Sequence, residues 1–190
     1  LTARPRRNRK GPWVRVMMRE TWLGPEHFIY PLFVHEDAGA VEIPSMPGCL
    51  RHDLPSLLAE VEAAQADGIG AVVVFPKVPE ALKTNDGAEA YNPQGLVPRV
   101  VAAIKARCPE LTVITDVALD PYSSEGHDGI VSEDGRVLND ETVAVLVKQA
   151  LCHARAGADV ISPSDMMDGR VGAIRQALDA EGFTDVSVLA

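Results

Sequence analysis

From residue 27 onward, short runs of β-branched and aromatic residues alternate with stretches whose apolar positions recur at helical spacing. His27 to Val34 reads as a first strand. Asp53 is placed to cap a helix through about Ala66, with Leu57, Leu58, Val61 and Ala64 on one face and Gly68 as its stop. Ala71 to Phe75 is an unbroken apolar run, the signature of a strand buried on both faces. The unit then repeats. Pro98 to Arg107 is helical, Pro109 breaks it, and Leu111 to Val117 is the third strand. Asn139, followed by Asp140 and Glu141, opens a long helix to about Ala156 with Gly157 at its end. Val160 to Ser162 is a fourth strand, Arg170 to Ala180 a fourth helix stopped by Gly182, and Val186 to Ala190 starts a fifth strand.

Alternation of this kind belongs to the α/β class with a parallel sheet, either a (β/α)8 TIM barrel or an open doubly wound sheet. No GxGxxG follows the first strand and no GxxxxGK[ST] occurs, so nothing argues for the nucleotide-binding open sheet. The barrel is the expected architecture. Four βα units and a fifth strand amount to about half of one. The expectation is therefore an N-terminal half-barrel over residues 26–190, cut after Ala190 and, because Leu1 is not Met, at its beginning as well.

Charge divides the chain in two. Up to residue 25, Arg4, Arg6, Arg7, Arg9, Lys10, Arg15 and Arg19 face only Glu20, a balance of +6, so the overall −9 leaves −15 on the remainder. An acidic body argues against nucleic-acid coating, and the 1–25 segment reads as a basic arm that packs on a partner subunit, with a transit-peptide remnant or a nucleic-acid tail as alternatives. No apolar run is long enough to span a bilayer, so no membrane role is expected. Cys49, Cys108 and Cys152 are too scattered for a disulfide framework or a CxxC zinc ribbon, which fits a reducing cytoplasm.

Barrel chemistry sits at the carboxyl ends of strands, and two such ends are densely polar. In Thr115-Asp-Val-Ala-Leu-Asp-Pro-Tyr-Ser-Ser-Glu-Gly-His-Asp-Gly129, Asp116 and Asp120 have the spacing to share a face, with Asp128 returning from the loop. Three converging carboxylates raise one another's pKa, orient an ammonium or hold a cation. Equally, such residues cap loops and form turns. In Ser162-Pro-Ser-Asp-Met-Met-Asp-Gly-Arg170, Ser164 and Asp165 close the fourth strand, Asp168 is expected to cap the next helix and pair with Arg170, and Met166 and Met167 to pack. His127 is either a proton-transfer group or a locally bonded loop residue. Lys77 stands where a Schiff-base lysine could stand, without a supporting pattern; His27, His35, His52 and His153 are isolated, and Cys152 reads as core.

These two loops, with Ser45-Met-Pro-Gly48, Gly87 to Pro93, Asn139 to Thr142 and Pro163 to Ile174, resemble the porphobilinogen synthase (5-aminolevulinate dehydratase) family, in family order over nearly the whole chain. The resemblance implies a lyase of tetrapyrrole and haem synthesis that condenses two 5-aminolevulinate molecules to porphobilinogen with loss of two waters. It implies a (β/α)8 barrel, an arm wrapped round a neighbour in a homo-octamer, and a cytoplasmic or plastid location. Both family lysines, including the Schiff-base lysine, are expected beyond Ala190, so the piece alone is expected to be inactive. The residues carried over are Asp116, Asp120, Asp128, Ser164 and Asp165, on the side of the second substrate. Where zinc-dependent members place cysteines, this chain has Ala118, Asp120 and Asp128. The zinc site is therefore expected to be absent, and oxygen ligands favour Mg2+, a monovalent cation or no active-site metal, with Asp120 and Asp128 as the candidate ligands of any ion. An allosteric Mg2+ would find its ligand past Ala190.

Two other readings remain. Another Schiff-base barrel of the aldolase type would not require the paired aspartate and Pro-Ser-Asp motifs. A non-catalytic half-barrel serving as an assembly module would leave open strand edges that need a partner.

Overall fold

The computed structural model describes residues 1–190. Its elements are α1 (Pro12–Met17), β1 (Ile29–Val34), β2 (Val41–Glu42), β3 (Leu50–His52), α2 (Leu54–Ala66), β4 (Ala71–Pro76), α3 (Leu96–Arg107), β5 (Thr112–Val117), α4 (Asn139–Ala156), β6 (Val160–Pro163), α5 (Arg170–Ala180) and β7 (Ser187–Val188). They form one sheet in the order β2-β3-β1-β4-β5-β6-β7. From β1 through β7 each strand lies parallel to the next, with a helix crossing between β4 and β5, β5 and β6, and β6 and β7. This is the winding of the first part of a (β/α)8 barrel.

Local chemistry explains the boundaries. Asp53 accepts the Ser56 backbone N–H at 3.0 Å and so satisfies a free donor at the start of α2. Gly157 ends α4 at φ 106°, a left-handed turn that a side chain would resist. On the outward face of the sheet Leu32, Val34, Val72, Val74, Val113, Val117 and Ile161 pack beneath Leu57, Val61, Val100, Ile104, Leu146, Ile174 and Leu178, nearly all without solvent contact. Each such side chain stabilises the fold by about 1.5–3 kcal/mol.

Several expectations need correction. The first strand starts at Ile29, because Pro25–His27 winds as a 3-10 turn. β4 is fully buried on one face only: Val72 and Val74 are sealed by helices, whereas Ala71, Val73 and Phe75 on the other face are half-exposed. There Phe75 stacks on Phe33 at 5.7 Å between centroids, in register across β1 and β4. The last strand is only Ser187–Val188, the stretch that reaches β6. The β2–β3 hairpin had no signature in the hydrophobic pattern; it adds to the β1 edge through Phe33 and Val34. The Pro5–Arg9 turn and α1 bury no residue, and Trp13, Met17, Trp22 and Leu23 are exposed. No helix is long and apolar enough to cross a membrane.

Candidate active site

β5 delivers Asp116 one residue before its carboxyl end, on the same face as Ile114 and beside Ser162 of β6. The chain then turns through Asp120 into the loop that carries Asp128. The next strand-to-helix loop brings Ser164 and Asp165 to the same end of the sheet. Ser164 Oγ donates to Asp116 Oδ1 at 2.5 Å. Burial, reinforced by the charges of Asp120, Asp128 and Asp165, pushes the Asp116 carboxyl up to about 6, against the lowering effect of the Ser164 hydroxyl. Burial also raises Asp120, with the Asp128 charge adding to it and Lys83 opposing. The five residues singled out from sequence thus meet electrostatically at one sheet end.

Asp165 is held more tightly than the others. Its side chain has no solvent exposure, its Oδ1 accepts the Met167 N–H at 2.7 Å, and its Oδ2 lies 2.9 Å from Arg170 Nε. That N–H is not aimed at the oxygen, so the contact is an ion pair without an aligned hydrogen bond. Burial outweighs both partners and keeps the Asp165 carboxyl above its ordinary range. This corrects the expected pairing: Arg170 turns to Asp165, and to the Met167 carbonyl at 2.8 Å, instead of Asp168. Nor does Asp168 cap α5, whose N-cap is Gly169 with no side-chain bond. Met167 packs in the core, but Met166 is 60% exposed.

The remaining candidates take modest places. His127 Nδ1 accepts the Gly129 N–H at 3.0 Å, a local loop bond. Lys77 is half-exposed, 4.0 Å from Asp37, whose carboxylate also lies 3.4 Å from His35 Nδ1. Cys152 is buried. His27 Nδ1 accepts the Gly24 N–H. His52 and His153 are buried, and both nitrogens of His153 lack a hydrogen-bond partner. The structure contains no group of three or more His, Cys, Asp or Glu side chains with the spacing of a metal site.

Sequence reasoning missed the parts that join the loops. A Cβ on Gly129 would stand 2.8 Å from Val137 Cγ1 and 2.9 Å from Met167 Cε, so the aspartate loop and the Met167 loop touch at a point where no side chain fits. Asn85, which carried no sequence signal, and Asn139, which marked a helix start and a family motif but no cross-loop bond, join separate segments. Their partners are far away in sequence, and no local signal marks them.

A parallel βα sheet with carboxylates gathered at the carboxyl ends of adjacent strands defines a protein of the (β/α)8-barrel class, and these carboxylates lie at the end where such barrels carry their chemistry. The profile of the Delta-aminolevulinic acid dehydratase (ALAD) family matches residues 2–190, and the chain belongs to that family. It is 59% identical over 190 residues to the chloroplastic Delta-aminolevulinic acid dehydratase 1 of Arabidopsis thaliana, covering 100% of this chain and 44% of the relative. The chloroplastic enzyme of Oryza sativa is 58% identical over the same length, with 45% of it covered. A crystal structure of delta-aminolevulinic acid dehydratase (porphobilinogen synthase) from Toxoplasma gondii, in complex with the reaction product porphobilinogen, superposes with a TM-score of 0.96 at 54% identity. The match covers 100% of this chain and 54% of that one. The chain therefore spans about half the length of the relatives it matches.

Proposed function

We propose that this chain forms the second-substrate half of a porphobilinogen synthase site, in a protein that condenses two 5-aminolevulinate molecules to porphobilinogen with loss of two waters. The observation that carries this is the Asp116 cluster at the ends of β5 and β6, within a chain that superposes along its whole length on a product-bound member of the family. Asp120 and Asp128 supply negative charge to orient the substrate ammonium. Asp116, titrating near 6, exchanges a proton close to neutral pH, as a group serving carbon–nitrogen bond formation must. Ser164 holds Asp116 by its hydroxyl, and Asp165, anchored by Met167 and Arg170, fixes the floor of the site. The family's Schiff-base lysine, when present, supplies the electron sink for the other substrate. The test is formation of porphobilinogen by the protein purified from its natural source, together with its intact mass. Turnover by a protein heavier than 20.4 kDa is expected, and purified protein that forms no porphobilinogen overturns the reading.

Three finer points belong to the same proposal. Ala118, Asp120 and Asp128 present a methyl and two carboxylates, a donor set that does not fit the thiolate site of zinc-dependent relatives; activity is expected to survive a zinc chelator and to respond to Mg2+. The exposed Trp13, Met17, Trp22 and Leu23 support an arm that packs on a second copy within an octamer, so deleting residues 1–25 should lower the mass measured by light scattering. The chloroplastic relatives support a plastid location, testable by fractionation.

A further inference from the structure

We propose that Asn85 and Asn139 are positioning residues that lock the two carboxylate-bearing loops into one unit, an inference that rests on the reading of the site above. Each amide grips the backbone of a single residue in another loop at two points. Asn85 Nδ2 donates to the Val131 carbonyl at 2.7 Å while its Oδ1 accepts the Val131 N–H at 3.1 Å. Asn139 Nδ2 donates to the Asp168 carbonyl at 3.2 Å while its Oδ1 accepts the Asp168 N–H at 2.8 Å. A side-chain amide carries a donor and an acceptor side by side at every pH, so the pairing imitates a rung of a β-ladder without a strand.

The two grips bracket the site. Thr84 bonds the near end of the aspartate loop, giving its N–H to the Tyr122 carbonyl at 3.1 Å and taking the Ser124 N–H at 3.2 Å. Asn85 holds the same loop at Val131. Asp128 therefore lies between two anchors supplied by adjacent residues, and Asp120 lies just ahead of the first. Asn139 follows the aspartate loop directly and grips Asp168, three residues after Asp165. The chain of contact runs from 84–85 through the aspartate loop to the Asp165 loop, and the Gly129–Met167 approach closes it.

These bonds are solvent-exposed, so each adds little to global stability. Their consequence is placement: a shift of about 1 Å at a reacting group can cost about 100-fold in rate. The experiment compares the parent protein with Asn85→Leu, Asn139→Leu, the double variant and the two Asn→Gln variants. Readouts are hydrogen exchange at the Val131 and Asp168 amides, thermal midpoint, and KM against kcat for porphobilinogen formation. The Leu variants should lose amide protection locally and keep the thermal midpoint within a few degrees. Their kcat/KM should fall about 10- to 100-fold, with the Gln variants intermediate and the double variant less than multiplicative. Parent-like exchange or parent-like kcat/KM in both Leu variants overturns the proposal. A parent that forms no porphobilinogen would instead overturn the reading of the site, with the exchange measurement still deciding whether the grips exist.

Discussion

Ser164 reaches from the loop after β6 to give its hydroxyl hydrogen to Asp116, the acid near the end of β5, at 2.5 Å. The two strands are in register two residues earlier, at Asp116 and Ser162, so the bond ties the next loop back onto the neighbouring strand. A hydroxyl donated to a carboxylate stabilises the charged form, whereas the burial of Asp116 and the surrounding carboxylates favour the neutral one. Removing the hydroxyl with Ser164→Ala should therefore move the Asp116 midpoint above about 6. A carboxyl-carbon NMR titration that finds it unchanged or lower would refute this.

Asp116→Asn should separate stability from activity. The Asp116 carboxyl is raised from its ordinary 3.8 to about 6, so the folded chain binds this proton more tightly than the unfolded one. Between those values stability falls as pH rises, and the penalty is fully present at pH 7. The variant, which carries no charge there, should be more stable than the parent at neutral pH, by up to about 2 kcal/mol after allowing for solvent screening. Porphobilinogen formation should meanwhile drop by about 100-fold or more. Urea unfolding at pH 7 checks the first half and an initial-rate assay the second.

His153 predicts the acid limit of the fold. It lies on α4 with no solvent exposure and no hydrogen bond to either ring nitrogen, and burial drives it down to about 3. Below its unfolded value of 6.5 the unfolded state takes up the proton first, so stability declines as pH falls from 6.5 towards 3, by up to about 1.4 kcal/mol per pH unit. His153→Leu should unfold at lower pH than the parent. Coincident acid transitions followed by circular dichroism would count against this account. Asp116 acts with the opposite sign between about 4 and 6, and the two single variants separate the contributions.

Gly129→Ala tests the seam between the loops. The added methyl meets Val137 Cγ1 and Met167 Cε inside normal contact distance, and the Thr142 hydroxyl at 3.1 Å. Met167 can swing away at small cost, but Val137 and Thr142 are held in packed positions, so overpacking of about 1–3 kcal/mol is expected. Calorimetry should show a lower melting temperature. Gly135, a turn glycine at the tip of the same loop with open space around it, tells against substitution only through its φ of 80°.

Local signals carried much of this structure. The Asp53 cap, the Gly157 stop and the apolar spacing of α5 act within a turn or two of chain, and the helices formed at or close to the expected boundaries. The grouping of Asp116, Asp120, Asp128, Ser164 and Asp165 was legible because barrel strands deliver their carboxyl ends to one side. Partner choice was not legible. Whether Arg170 turns to Asp165 or Asp168 depends on which carboxylate is buried, and the amides of Asn85 and Asn139 find partners 46 and 29 residues away. The half-exposed inner face of β4 and the attachment of β2–β3 to the β1 edge likewise depend on which surfaces meet. Propensity, capping and spacing are short-range and written residue by residue. Burial, and the pairing of polar groups it enforces, exists only once distant segments have packed.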